Sequence, residues 1–482
     1  MKPMTSCHPC WRIHRIPLNP SPDMQGFSAI VWLTLKAAVR YRVVQVLSSL
    51  LLAAVVVLPL MIKHDGSAQG FTQILLTYTL STITFLLGFA TLWMACGSLA
   101  REIQESQMQL LTVKPIPRWK IWLGKWFGII LINAFLLAVS SAAVYGITLM
   151  RAGKLSELQQ QLLENEIFVA RASALPDYPD TTAYAEELYE QRLEENANLQ
   201  QMDPALVRRQ IAEQVDAMQQ IVRPGYVRRW VIPIASPEAV QDQPMFLRVK
   251  FFTSRPYDTS TYDVLWELGP PETPQRVRRQ MDISPEAPIE FEIPPNLVDN
   301  DGNLIVDLTN GSQIPLFFAL EDGMEALYRQ GGFAWNFIRG MLVILCWMAF
   351  LAAIGLAASS FLSFPVAAFV SIALLIVGFS GGTLSQVIEQ GGISGINHET
   401  GQKDQSSSLD QIAITTSKAL LSVINLVKDF SPISFLSTGR SVTTGMVVQA
   451  VVQIVMVMGG LFAAFGIWAF YKVELATAQS NQ

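Results

Sequence analysis

The stretch MLVILCWMAFLAAIGLAASS, residues 341–360, decides the fold class, because it is apolar and long enough to cross a lipid bilayer as one helix. After the link Phe361-Leu362-Ser363, a second apolar stretch, FPVAAFVSIALLIVGFSGG, occupies residues 364–382. A helix is expected for both, since a helix satisfies its own backbone hydrogen bonds in hydrocarbon. The two stretches therefore predict a membrane-spanning helical hairpin.

Four further apolar stretches have the length of a membrane span. The composition agrees, since 51% of the 482 residues are apolar and 15% are charged, whereas soluble proteins carry about a quarter charged residues. The sequence thus predicts a polytopic α-helical membrane protein with six transmembrane helices. The four further spans are predicted at Val43–Ile62, Gln73–Leu99, Phe127–Met150 and Met446–Tyr471.

Charge and cysteine content exclude several functions. The chain has 34 Lys and Arg against 39 Asp and Glu, so no basic excess exists to hold a phosphate backbone, and nucleic acid is not an expected partner. Four cysteines cannot form a disulfide scaffold. The motif Cys7-x-x-Cys10 lacks the second ligand pair of a zinc site, so we expect no metal and no cofactor. The spans contain almost no ionisable residues, which argues against proton-coupled transport and intramembrane proteolysis.

Basic residues indicate the orientation in the membrane. Lys36, Arg40 and Arg42 precede the first span, and five further Lys or Arg lie in the segment 101–125 between the second and third spans. Because Lys and Arg are enriched on the cytoplasmic side, both segments are expected there. Six spans then return the C-terminus, with Lys472, to the same side.

The chain divides into four regions. Prolines interrupt residues 1–25, which contain no apolar core of a secretory signal, and we expect a disordered tail; a true start at Met24 is the alternative. Residues 26–150 are expected to hold an amphipathic helix at 26–42, spans 1–3 and a cytoplasmic loop at 101–125. Residues 151–335 are expected to form an extracytoplasmic domain. Residues 336–482 are expected to hold spans 4–6, with an external loop and amphipathic helix at 384–445.

The insert at 151–335 has the composition of a soluble domain. It carries 29 acidic and 16 basic residues and no span-length apolar run. Helix formers fill 181–222, where Asp203-Pro204 reads as an N-cap followed by proline at the first helical position. We expect an α+β domain with a helical hairpin and a small β-sandwich. The strand-like runs are WVIPIA (230–235), MFLRVKFFT (245–253), YDVLWEL (262–268), IEFEIP (289–294), NLIVDLT (303–309) and PLFFAL (315–320).

The loop REIQESQMQLLTVKPIPRWKIWLGK, residues 101–125, is the most informative segment for function. Its first part is typical of a short polar helix, which Pro115 and Pro117 break before Arg118 and Trp119 begin another helix. A polar helix held between two spans by a proline break is suited to carry a push from a cytoplasmic partner into the membrane.

This loop resembles the one between the second and third spans of ABC-2 type permeases, the membrane subunits of a class of ATP-binding cassette exporters. The family pattern is a basic residue and Glu, then a Leu pair, Pro, Arg and Gly-Lys. The family's usual Gly-Thr is replaced here by Ser106-Gln107. The matching positions are Arg101, Glu102, Leu110, Leu111, Pro115, Arg118, Gly124 and Lys125.

Other parts of the chain are similar to the same family. They are the basic amphipathic helix at 26–42, the apolar positions 420–427 that lead to Phe430-Ser431-Pro432, and the C-terminal Tyr471–Leu475. The resemblance covers the six spans and their loops and does not extend to the insert.

The resemblance implies that residues 101–118 dock on a separate ATPase subunit. It also implies a second permease copy or a homologous permease as partner within the lipid bilayer. The chain contains no G-x-x-x-x-G-K-[ST] phosphate-binding loop, so we expect no ATPase activity and no catalytic residue in it. The expected coupling residues are Arg101, Glu102, Glu105, Leu110, Leu111, Pro115 and Arg118.

One alternative function stays open at this point. The chain could be a membrane-anchored scaffold or receptor whose extracytoplasmic domain binds a partner protein or a glycan. One or two spans would serve that purpose, and six would then be unexplained. The transported substrate is not encoded in any recognisable motif.

Overall fold

The computed structural model of the chain describes residues 22–40, 42–61, 68–108, 116–153, 155–196, 204–240, 243–255, 260–271, 273–274, 276–379, 415–418 and 431–473. Residues 1–21 of the predicted tail lie outside these ranges. So do residues 384–414 and 419–430 of the predicted external loop and amphipathic helix.

Four helices among the described residues form the first half of the membrane region: α1 (Pro22–Arg40), α2 (Arg42–Met61), α3 (Ala68–Gln104) and α4 (Arg118–Ala152). Helix α1 begins inside the predicted tail and is amphipathic. Ile30, Thr34 and Ala38, spaced four residues apart, are buried, whereas Trp32 and Val39 on other faces are more than two-thirds exposed. Helix α1 therefore offers one face to the bundle and another to its surroundings.

Two glycines of α4 let α1 approach closely. A Cβ atom built on Gly124 would lie 2.8 Å from Ile30 Cγ2, and one on Gly128 would lie 2.8 Å from Thr34 Cβ. Because real Cβ atoms do not approach so closely, the Gly124-x-x-x-Gly128 pair is required for this packing, as small residues are between membrane helices. It holds α1 against the N-terminal third of α4.

The described residues of the insert form three α-helices and ten strands. Helices α6 and α7 pack on each other through a small core of Tyr189, Val207, Ile211 and Val215. The helices are α5 (Glu157–Glu166), α6 (Thr182–Glu195) and α7 (Pro204–Gln220). The strands are β1 (Val169–Ala174), β2 (Ile221–Val222), β3 (Val227–Pro233), β4 (Met245–Val249), β5 (Tyr262–Leu268), β6 (Val277–Ile283), β7 (Ile289–Ile293), β8 (Asn303–Asn310), β9 (Leu316–Phe317) and β10 (Met324–Gly332).

Two antiparallel four-stranded sheets share one apolar core. One has the strand order β1-β10-β4-β7 and the other β3-β8-β5-β6, while β2 and β9 pair separately. Leu247 and Ile293 of the first sheet and Trp230, Val264 and Leu304 of the second belong to the same buried cluster. The six strand-like runs of the sequence overlap β3, β4, β5, β7, β8 and β9; strands β1, β2, β6 and β10 were not predicted.

The second half of the membrane region follows β10 without a loop. Helix α8 is largely buried, and a Cβ atom on its Gly355 would lie 2.6 Å from Ala95 Cβ of α3, so α3 and α8 pack closely. The elements are α8 (Phe333–Ser359), α9 (Phe364–Phe379), α10 (Pro432–Ser437), α11 (Thr444–Ala450), a π-helical segment (Val451–Gly459) and α12 (Gly460–Lys472).

The described residues support a polytopic helical membrane protein, but the predicted six spans are not confirmed. The described part of helix α9 has 16 residues, roughly 24 Å at 1.5 Å per residue, against a bilayer core of about 30 Å, and residues 380–382 of the span predicted there lie outside the described ranges. Helices α1 and α2, bent by 72°, count together as a fifth candidate. The four helices long and apolar enough to span are Thr72–Gln104, Arg118–Ala152, Phe333–Ser359 and Thr444–Lys472.

Replacing Gly128 by Leu tests the packing of α1 on α4. The new side chain collides with Thr34, and overpacking of this kind costs about 1–3 kcal/mol. We expect a lower thermal unfolding midpoint for the solubilised chain, measured by intrinsic fluorescence. Gly146→Leu is the control, because a Cβ atom there has no neighbour within 4 Å among the described residues. Equal midpoints for the two variants would contradict the packing.

Candidate functional site

A tight turn ends α3 at the start of the predicted coupling loop. The amide of Glu105 donates to Arg101 O at 2.8 Å and that of Ser106 to Ile103 O at 3.2 Å. Ser106 then adopts φ = +60°, a left-handed conformation that ends a helix. The prediction of a continuous polar helix up to Pro115 is therefore wrong at Glu105-Ser106. The family that the loop resembles has Gly at the position of Ser106, and Gly adopts this conformation without steric cost.

A buried ion pair fixes this turn to α4. Lys125 Nζ lies 2.6 Å from Glu102 Oε1 and also donates to Ser98 O at 3.0 Å. The Lys125 side chain is 3% exposed and that of Glu102 is 10% exposed. Glu102 Oε2 has no hydrogen-bond partner among the described residues. Glu102 is thus a residue of the interior, and its carboxylate does not lie on the exposed surface of the loop.

Helix α1 covers the ion pair. Thr34 and Ala38 of α1 line the same small cavity as Glu102 and Lys125. Thr34 and Ala38 are themselves buried. Removing two charges from water costs several kcal/mol, and a close, hydrogen-bonded contact is needed to offset that cost. Helices α1, α3 and α4 are therefore tied together at one point.

The two predicted arginines also bind inside the molecule. The Arg101 guanidinium lies 4.3 Å from the centre of the Phe364 ring, which joins the end of α3 to the start of α9. Arg118 donates to the carbonyl oxygens of Phe470 at 2.7 Å and of Tyr471 and Val473 at 3.1 Å. These carbonyls end α12, where a cation also interacts favourably with the helix dipole. Arg118 thereby attaches the start of α4 to the end of the last helix.

Glu105 is the predicted acidic residue that lies on the surface. Its Oε2 accepts a hydrogen bond from Gln107 Nε2 at 2.7 Å, and both side chains are exposed, as are Gln104 and Ser106. We name residues 104–107 the exposed turn. Leu110, Leu111 and Pro115 lie outside the described residues.

Sequence reasoning did not include Lys125 among the coupling residues. Its signal was present, since a charge seven residues into a membrane helix requires a partner, and the two acidic residues before the proline break are Glu102 and Glu105. Two tryptophans were also missed. Trp122 Nε1 donates to Ser360 Oγ at 3.2 Å and Trp126 Nε1 to Ala349 O at 2.9 Å. Trp122 thus joins α4 to the residue that follows α8, and Trp126 joins α4 to the C-terminal half of α8.

These contacts form one network around the exposed turn. Through them the α3–α4 connection contacts α1, α8, α9 and α12. Within the described ranges, no three His, Cys, Asp or Glu side chains are grouped so that they could hold a metal ion.

Comparison with known proteins supports the resemblance. Residues 28–170, which run from α1 through α4 to the start of β1, match the family model described as ABC-2 family transporter protein. The match supports an ABC-2 type permease, a membrane subunit that is usually not itself catalytic. No curated protein and no solved structure matches the chain significantly.

A double-mutant cycle tests the Glu102–Lys125 pair. Glu102→Gln or Lys125→Met alone leaves one buried charge unpaired, which costs about 3–5 kcal/mol, whereas the double variant leaves neither charge. We expect each single variant to unfold at a lower temperature than the double variant. Glu105→Gln, which removes an exposed charge on the same turn, should leave the midpoint unchanged. Additive effects of the two single changes would show that the pair is not coupled.

Substitution of Ser106 tests the left-handed turn. Because Ser106 is exposed, changes there act mainly through the backbone. The left-handed conformation costs a residue with a Cβ atom about 1–2 kcal/mol, and the cost is highest for β-branched residues. Ser106→Gly is expected to raise the unfolding midpoint and Ser106→Val to lower it. The opposite order in a thermal unfolding series would refute this geometry.

Proposed function

We propose that this chain is the membrane-spanning permease subunit of an ABC-2 type ATP-binding cassette exporter, coupling ATP hydrolysis by a separate ATPase subunit to substrate movement across the membrane. The family match over 28–170 supports the permease class. The observation that carries the coupling role is the buried Glu102–Lys125 pair, which makes the exposed turn a rigid part of the bundle.

The ATPase subunit is proposed to bind at the exposed turn. Glu105 is the charged side chain available for that contact, together with Gln104 and Gln107. Arg101, Glu102 and Arg118 act as positioning residues, since each binds another part of the chain. Leu110, Leu111 and Pro115 complete the proposed docking segment.

The orientation belongs to the same proposal. The basic residues near the turn favour the cytoplasmic side of the bacterial inner membrane for it and for both termini. The insert, with its two sheets in a β-sandwich and its helical hairpin, then lies outside the cytoplasm. A second copy of the chain or a homologous permease completes the translocation path. No feature of the described residues favours the scaffold alternative.

Charge reversal at Glu105 tests the docking contact. Glu105→Arg should lower the permease-dependent stimulation of the ATPase subunit about ten-fold, which corresponds to roughly 1.4 kcal/mol, because an exposed charge of the turn changes sign. ATP hydrolysis is measured with the copurified complex in lipid nanodiscs. The unfolding midpoint of the variant should equal that of the wild type.

Glu187→Arg is the matched control, since Glu187 is an exposed residue of α6 in the insert. It should leave ATPase stimulation unchanged. Full stimulation in Glu105→Arg would remove the turn as the docking site.

A further inference from the structure

A polar cavity lies where the insert meets the membrane helices. Its volume is about 300 Å³, at the lower end of the range of small-molecule sites. Gly70 and Gln73 of α3 contribute one side, and the first span candidate begins between them, at Thr72. Glu166, Arg171 and Glu290 contribute charged groups from α5, β1 and β7. The cavity is therefore at the end of a membrane span and lined by charge.

One wall of the cavity is fixed by backbone and side-chain contacts. Arg171 is 2% exposed, forms an ion pair with Glu290 and donates from its second terminal nitrogen to Thr438 O at 2.8 Å. Its own amide donates to Gly439 O at 2.8 Å, and its carbonyl accepts from Ser441 N at 2.7 Å. Strand β1 is thus joined to the segment that follows α10, and the cavity has a preformed wall.

Two charged groups of the lining are incompletely neutralised by the protein. Glu166 forms no side-chain hydrogen bond and no ion pair with any residue in the described ranges. Burial raises its pKa, and the neighbouring Glu290 raises it further, while Arg171 acts in the opposite direction. Within the described ranges, the ion pair of Arg248 is with Glu325, at 3.6 Å, and Glu325 is already in an ion pair with Arg440.

We infer that this cavity binds an ammonium-bearing zwitterion, such as the ethanolamine phosphate headgroup of a phospholipid, with the ammonium group beside Glu166 and the phosphate beside Arg248. A carboxylate and a guanidinium are the partners that these two groups prefer. The volume suits a headgroup rather than a whole lipid. The position at the N-terminal end of α3 gives a headgroup direct access from the membrane boundary.

This inference goes beyond the proposed function, because binding here requires neither the ATPase subunit nor nucleotide. The test uses the full-length chain in detergent, freed of phospholipid, and isothermal titration calorimetry with glycerophosphoethanolamine. Glycerophosphoglycerol, a phosphodiester that lacks the ammonium group, should bind about ten-fold more weakly or worse, as expected for the loss of one hydrogen bond to a charged group.

Three variants separate the groups. Glu166→Gln should weaken glycerophosphoethanolamine about ten-fold and leave glycerophosphoglycerol nearly unchanged, and Arg248→Gln should weaken both. Glu164→Gln, an exposed change on the same helix, is the control and should bind like the wild type. Equal affinity of wild type and Glu166→Gln, or equal affinity for the two probes, overturns the proposal.

A second arm distinguishes the source of the zwitterion. The chain is taken from nanodiscs containing phosphatidylethanolamine or phosphatidylglycerol and examined by native mass spectrometry. Retention of phosphatidylethanolamine by the wild type and its loss in Glu166→Gln identify a lipid headgroup. Binding of glycerophosphoethanolamine without any retained lipid identifies a free zwitterion of the same chemistry.

Discussion

Lys125 carries a positive charge into a place from which water is nearly excluded, and Glu102 Oε1 at 2.6 Å compensates for it. The pair joins the last turn of α3 to the second turn of α4, and α1 covers it through the close contact at Gly128. If either charge were lost, the other would remain buried and unpaired, so the three helices are held in one arrangement. Arg101 and Arg118 extend the same attachment to α9 and α12.

The insert is attached to the membrane helices at more than one place. Helix α4 leads through α5 into β1, and the neighbouring strand β10 leads directly into α8. A third attachment comes from Arg440, whose backbone bridges to Arg171 and whose side chain pairs with Glu325. Movement of α4 or α8 is consequently transmitted to the sheet that holds β1 and β10. This sheet also contributes Arg171, Arg248 and Glu290 to the lining of the charged cavity.

Parts of this arrangement could be predicted from sequence because they depend on local pattern. The apolar stretch 341–360 identifies α8, and the alternation in YDVLWEL identifies β5. Strand β6, VRRQMDI, has no such alternation, because most of its residues face solvent, and Arg278 forms an ion pair with Glu267. The six predicted spans are not confirmed, because the described part of α9 is shorter than its apolar run and residues 380–382 of that run lie outside the described ranges.

In the candidate site, too, the local pattern could be predicted from the sequence and the tertiary contacts could not. The proline break and the basic and acidic residues of the loop were visible in the sequence, and the family resemblance located them. The burial of Glu102 was not visible, since it depends on Lys125, 23 residues further on, and on coverage by α1. A carboxylate at a helix end is usually solvated, and only the fold shows that this one is not. The departure at Ser106 became interpretable once its φ of +60° was known.

The rigidity of the α3–α4 connection is most directly measured by the distance between spin labels at positions 104 and 119, both exposed. The labels are placed in the chain assembled with its ATPase subunit, and the distance is recorded by pulsed electron resonance without nucleotide, with ATP bound and after hydrolysis. A single narrow distance that stays constant through the three states is expected, because the Glu102–Lys125 pair holds the two helices together. A distance that broadens or shifts between the states would show that the connection bends on its own and does not transmit a push to the bundle.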